Sequence, residues 1–166
     1  MTYLSQRRRV QHLVVIGAVE TLVHDIRHCD GHEVFVRDRC DEIERHLRTA
    51  RAEVQDRDPA KARRVARTAQ RAQEATFHPL LGVDFGALII AVRHLIEGLI
   101  HEGWLTVNEG GAFDTAWGLL IDMIARSPEY DAIDSPERRS QATALVRLMR
   151  RQLAEHGLFV AREAAA

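Results

Sequence analysis

Glutamate and histidine recur at a spacing of four residues, which on a helix could bind a metal ion. The pairs are Glu20/His24, Glu42/His46, Glu74/His78 and Glu97/His101. Side chains at i and i+4 of an α-helix are neighbours, so one carboxylate oxygen and one imidazole nitrogen can ligate the same cation. The pattern raises the hypothesis of a metal-binding helical protein. The alternative is that these are ordinary pairs on solvated helix surfaces.

The strongest metal candidate is the stripe His94, Glu97 and His101. These positions lie within about 60° of one another on a helix, in the most apolar segment of the chain. If that helix is buried all round, the stripe is a polar seam that must be paired or bound to a metal. Such ligands suit zinc, iron or manganese, and Glu20 and His24 could help. If the helix exposes this edge, the three side chains are simply solvated.

A second candidate surface is a set of arginines on the third helix, opposite a stripe of alanines: Arg63, Arg64, Arg67 and Arg71. These cations could lie along nucleic-acid phosphates, pair with an acidic protein surface or remain solvated. No aromatic residue is interleaved, which argues against base stacking. The basic residues are almost all arginine, a bias that a GC-rich genome produces by itself. We favour a solvated face, then a protein contact, with nucleic acid the least favoured partner.

A third candidate surface is apolar. Phe113, Trp117 and Leu120 recur at helical spacing on the fifth helix, where apolar residues cover a wider arc than one core contact requires. Leu158 and Phe159 add an apolar segment near the C-terminus. Surplus apolar surface is typical of subunit interfaces. The pattern predicts self-association through these five residues.

Motifs for other functions are missing from the sequence. It contains no nucleophile elbow, P-loop or nucleotide-binding glycine fingerprint. The net charge of −1 creates no general attraction to nucleic acid or acidic membranes. Cys29 and Cys40 do not make a disulfide framework, and Cys40 falls on a core stripe, where we expect a buried thiol. Asp84 and Arg93 interrupt the most apolar region too soon for a membrane span, so we expect a cytoplasmic protein.

The elements that position these residues are six segments with helical periodicity. We expect helices at about 4–29, 33–57, 59–77, 80–104, 112–126 and 136–157. Asp58-Pro59 and Ser135-Pro136 have the cap chemistry of helix starts. A chain of 166 residues suits one domain. The sequence therefore predicts a single all-α bundle over residues 1–160 with the fourth helix at its centre, and a frayed tail at 161–166.

Three functional hypotheses follow from these patterns. The first is a non-enzymatic interaction or regulatory protein that self-associates as a homodimer. The second is a metal-binding bundle, an oxidase or a sensor, with ligands on the fourth helix. The third is a nucleic-acid accessory protein that uses the basic helix. Solvent exposure of all three residues His94, Glu97 and His101 would defeat the second.

Overall fold

The computed structural model describes residues 4–28, 34–80, 82–126 and 135–161. Within these ranges the chain forms six α-helices, a short 3-10 turn and no strand. The helices are α1 (Gln6–His28), α2 (Val34–Val54), α3 (Pro59–Phe77), α4 (Phe85–His101), α5 (Ala112–Arg126) and α6 (Pro136–Glu155). The predicted all-α bundle is therefore confirmed. The predicted tail at 161–166 lies, apart from residue 161, outside the described residues.

Local cap chemistry fixes the starts of α3 and α6. Asp58 and Ser135 each accept a hydrogen bond from a backbone N–H in the first turn, at 3.0 and 3.2 Å. Pro59 and Pro136 follow these caps at the first helical position, where a missing N–H costs nothing. Both starts agree with the sequence prediction because caps depend only on neighbouring residues.

The start of α4 lies later than predicted. His78–Leu80 forms a 3-10 turn, and α4 begins only after Asp84. One oxygen of Asp84, Oδ2, accepts hydrogen bonds from Ala87 N–H at 3.0 Å and from Arg138 Nε at 2.9 Å. The first of these bonds, and then the second, hold the pKa of Asp84 below its ordinary value. The residue thus caps α4 and joins it to α6.

Substitution of Asp84 separates these two roles. We expect Asp84→Ala to lower the free energy of unfolding by about 1 kcal/mol, because α4 loses its cap. Asp84→Asn keeps an acceptor for the cap and should cost less, since the ion pair with Arg138 is partly exposed and screened. Because folding lowers the pKa of Asp84, its ionised form stabilises the protein above the unfolded-state pKa. That contribution is lost as pH falls through the folded-state pKa.

Urea unfolding at neutral and at acidic pH measures both effects. The difference in stability between wild type and Asp84→Asn should shrink in acid, where the wild-type carboxyl is protonated. An Asp84→Ala variant as stable as wild type at neutral pH would contradict the role of this cap.

The central position predicted for α4 belongs to α1. α1 packs against α2, α3, α4 and α5, and every residue from 13 to 19 is buried. α4 is the most apolar helix, but it packs mainly against α6 and keeps one edge in solvent. The middle of α1 is a continuous apolar stretch. Its charged ends lower the hydrophobicity averaged over the whole helix, so that average does not reveal the stretch.

The packing divides the bundle into two sides with α1 between them. α2 and α5 pack together on one side, while α3, α4 and α6 form the other. α3, which carries the predicted arginine surface, and the apolar α5 therefore lie on different sides of the molecule. In the described part of the chain, no helix has both the length and the apolar character needed to cross a membrane.

Candidate functional site

The predicted metal stripe on α4 is not a buried seam. His94, Glu97 and His101 are all exposed. Glu97 accepts a hydrogen bond from the Nε of Arg93 at 2.9 Å, so its carboxylate already has a partner. Among the residues that the structure describes, no three histidine, cysteine, aspartate or glutamate side chains are grouped to hold a metal ion. The metal hypothesis thus loses the burial on which it depended, because α4 turns this edge away from α1 and α6.

The two further metal candidates on α1 have other surroundings. Glu20 Oε1 accepts hydrogen bonds from Arg51 at 2.6 and 3.1 Å, which ties α1 to α2. His24 is exposed, and its ring lies edge-on to His28 with centroids 4.3 Å apart. Glu20 therefore stabilises helix packing, within the limits of a half-exposed ion pair.

Cys40 is buried between α2 and α1, as the sequence predicted. Its thiol lies 4.0 Å from the carbonyl oxygen of Val23 and donates to it. Burial raises the pKa of Cys40 to about 11, so the thiol stays protonated at neutral pH and is a poor nucleophile. Cys40 is therefore a core residue. Cys29 lies outside the described residues.

The predicted arginine face of α3 is exposed along its whole length. Its members are Arg63, Arg64, Arg67 and Arg71. Within the described ranges none of their guanidinium groups forms a hydrogen bond or ion pair. Several arginines that lie between helices are paired, as Arg27, Arg51 and Arg150 are. The positive charge of the α3 arginine face therefore remains available to a partner.

The residues predicted for self-association divide into two sets, of which the first belongs to the core. Leu120 is 0% and Leu158 is 4% exposed, so neither can contact a partner in the folded protein. Phe159 is half-buried against Trp104, with ring centroids 6.3 Å apart. Its N–H donates to Oε1 of the buried Gln11 at 3.2 Å. The segment after α6 therefore folds back on α1 and closes the bundle.

The second set lies on the outer flank of α5. Phe113 and Trp117 are half-buried, and their rings stack with centroids 6.5 Å apart and planes 8° from parallel. Ile121 and Ile124 continue this line and are also half-buried. We call Phe113, Trp117, Ile121 and Ile124 the α5 ridge. Ile121 could not be recognised from the sequence, because the apolar pattern of α5 does not show which edge of the helix turns away from the core.

Gly118 lies beside the α5 ridge and is exposed. A Cβ built on it would meet no atom within 4 Å, and its φ is not positive. Glycine inside a helix costs about 1 kcal/mol relative to alanine. The described fold therefore does not require glycine at position 118. A second helix packed closely against this flank of α5 would require a residue without a side chain there.

A cleft that the sequence did not predict has a volume of about 620 Å³. It lies between the first half of α1, the end of α2, the segment 105–108 and the start of α5. Its apolar lining includes Val15, Ile16, Val54, Leu105 and Phe113. Small-molecule sites commonly have volumes of about 300–1,000 Å³ and such mostly apolar linings. The four contributing segments are far apart in the chain, so helical periodicity gives no sign of the cleft.

The polar groups of the cleft differ in whether they already have partners. His12 Nδ1 donates to the carbonyl oxygen of Arg8 at 2.7 Å, and Thr106 N–H donates to Nε2 at 3.3 Å. Asp114 accepts from a backbone N–H of the preceding turn at 2.9 Å. The side chains of Arg8 and Glu53 are exposed and form no hydrogen bond or ion pair with any described residue. Arg8 and Glu53 thus remain without a partner in the cleft, and Asp114 adds a second carboxylate that is held by the backbone.

Three surfaces of the described chain have chemistry that a partner or ligand could use: the α5 ridge, the α3 arginine face and the cleft. They differ in character, since the first is apolar, the second cationic and the third mixed. Comparison with protein-family models, with curated proteins and with solved structures finds no match.

Proposed function

We propose that this protein is a non-enzymatic interaction protein that acts as a homodimer, in which the α5 ridges of two copies pack together. The observation that supports this is the apolar outer flank of α5, where Phe113, Trp117 and Ile121 are half-buried beside a closed core. Aromatic side chains that keep part of their surface in water are enriched at interfaces, because burying them there releases ordered water. A second copy is the occupant best matched to this surface.

A two-fold interface suits the composition of the ridge. In such an interface the same patch meets itself, so like charges on the patch would repel. The four residues of the α5 ridge carry no charge. Two aspartates border the ridge: Asp122 is paired with Arg126 at 3.0 Å, and Asp114 accepts a hydrogen bond from the Gly110 N–H at 2.9 Å. Gly118 removes the side chain that would otherwise hold two antiparallel α5 helices apart. These features favour self-association over docking of a charged partner.

Tryptophan fluorescence tests the proposal at the residue that carries it. The chain has two tryptophans, so Trp104→Phe leaves Trp117 as the single reporter. We expect its emission to shift to longer wavelength on dilution, because dissociation exposes the ring to water. Trp117→Phe is the matched control, since Trp104 packs against Phe159 away from the ridge. The emission of Trp104 should not depend on protein concentration.

Two results would contradict a dimer through α5. One is an emission of Trp117 that stays constant over the whole accessible concentration range. The other is an equal shift of Trp104 and Trp117, which would indicate unfolding on dilution rather than separation of two ridges.

The exposed arginines favour a second candidate function, which is binding of an acidic protein surface by α3. Arg63, Arg67 and Arg71 follow one another at i, i+4 and i+8, a rise of about 6 Å per step. Carboxylates at the same spacing on an acidic helix would meet them in register, and arginine pairs with carboxylates through two hydrogen bonds. Because α3 and α5 lie on different sides of α1, a dimer would leave both arginine faces free.

Binding of poly-L-glutamate tests this candidate. We expect affinity to fall as salt is added, because exposed charges are screened, and to fall by at least about tenfold when Arg63, Arg67 and Arg71 become glutamine. The control removes the same charge from exposed positions of α2: Arg37→Gln, Arg45→Gln and Arg48→Gln. Equal losses in the two triple variants would show a general charge effect. Tighter binding of a DNA duplex than of poly-L-glutamate would contradict an acidic protein as the partner.

A further inference from the structure

We infer that the cleft between α1, α2 and α5 binds a small zwitterionic molecule with an apolar body, of the class of aliphatic and aromatic amino acids. The cleft shares only Phe113 with the residues that the sequence indicated for metal binding, for the arginine face and for self-association. Its size, its apolar floor and its unpaired charges each contribute to this assignment.

The shape of the cleft follows from its position along α1. Arg8, His12, Val15 and Ile16 line it on one side of the helix, and Leu4 lines it just before the helix begins. From Arg8 to Ile16 the helix rises about 12 Å at 1.5 Å per residue. With a volume of about 620 Å³, the cleft is elongated and large enough for a short apolar molecule with a polar head.

The apolar floor of the cleft is part of the core. Val15, Ile16, Val54 and Leu105 are 3%, 2%, 7% and 6% exposed, so packing holds them in place, including Leu105 in the segment between α4 and α5. Phe113 adds an aromatic edge. An apolar side chain on this floor would be removed from water at no cost in reorganising the protein.

The unpaired charges select the head group. Arg8 and Glu53 both line the cleft, yet they form no ion pair with each other or with another described residue. A carboxylate would pair with Arg8, and an ammonium group on the same ligand would pair with Glu53. A purely anionic head would be repelled by Glu53 and Asp114, and a purely cationic head would be repelled by Arg8. A zwitterionic head satisfies both.

The cleft also reaches the surface that we propose for dimerisation. Phe113 lines the cleft and stacks on Trp117 of the α5 ridge. A ligand that orders Phe113 would therefore order Trp117 as well, and would strengthen the dimer. This last step rests on the proposed function, whereas binding to the cleft does not.

Calorimetric titration with L-phenylalanine tests the site, with L-leucine as the aliphatic probe. The matched controls are 3-phenylpropionate, which lacks the ammonium group, and 2-phenylethylamine, which lacks the carboxylate. We expect each control to bind at least about tenfold more weakly than L-phenylalanine. Arg8→Gln should remove the advantage over 2-phenylethylamine, and Glu53→Gln the advantage over 3-phenylpropionate. Arg147→Gln, at an exposed site on α6, should change neither.

The same titration on Gly118→Glu separates this inference from the proposed dimer. If that variant is monomeric and still binds L-phenylalanine, the site stands by itself. Failure of L-phenylalanine and L-leucine to bind, or equal binding of L-phenylalanine and its two analogues, would overturn the site. An unchanged dimer dissociation constant at saturating L-phenylalanine would overturn the link through Phe113.

Discussion

Gly118→Glu is expected to turn the proposed dimer into a folded monomer. Gly118 is exposed on α5 and has open space around its Cβ position, so glutamate fits one copy without strain. Glutamate is also the better helix former, by up to about 1 kcal/mol. In the dimer the carboxylate would be pressed against the apolar ridge of the partner. Removing an unpaired charge from water costs on the order of several kcal/mol, so the dissociation constant should rise by about a hundredfold or more.

The matched control for this variant is Ala144→Glu on α6. Ala144 is exposed as well, and the substitution adds the same charge on the side of the bundle opposite α5. We expect it to leave the mass of the assembly unchanged. Circular dichroism should show wild-type helix content in both variants. A Gly118→Glu protein that remains dimeric with full helicity would contradict an interface on α5.

Leu13→Ala and Leu22→Ala are each expected to lower the free energy of unfolding by about 2–5 kcal/mol, as buried leucine-to-alanine changes do. The two residues are nine positions apart and therefore point about 180° from each other. They are 6% and 3% exposed, because α1 is covered from both sides of the bundle. Only in a central helix do substitutions on opposite faces both cause large losses in the free energy of unfolding.

The comparison for these variants is His94→Ala on α4. His94 is exposed, so its removal should change stability by no more than about 0.5 kcal/mol. Urea unfolding of the three variants gives the values directly. A loss below about 0.5 kcal/mol for either leucine would contradict the central position of α1.

The parts of the fold that could be predicted from the sequence are those that depend on neighbouring residues. Asp58 and Ser135 cap their helices because each is followed by proline and by free N–H groups of its own first turn. The bounds of α5 also match the prediction. The arrangement of the helices in the bundle could not be predicted from the sequence, because it depends on which buried helix faces pack against each other. Average apolarity pointed to α4, although the continuous buried stretch lies in α1.

The candidate site shows the same division. The α3 arginine face could be predicted because an alanine stripe marks the buried side of that helix, and exposure of Arg67 follows by geometry. On α5 apolar residues occupy most of the circumference, so periodicity could not separate the buried Leu120 from the half-buried Trp117. The cleft could not be predicted at all. Arg8 and Glu53 share it only because α1 and α2 are antiparallel, which brings the end of α2 beside the start of α1.

Sedimentation equilibrium of the wild type and Gly118→Glu over the same range of concentrations shows whether two copies associate through α5. The wild type should approach twice the chain mass of 18.8 kDa as concentration rises. Gly118→Glu should remain at the mass of one chain throughout. A wild type that stays at the mass of a single chain, or two proteins with the same dimer mass, would contradict self-association through α5.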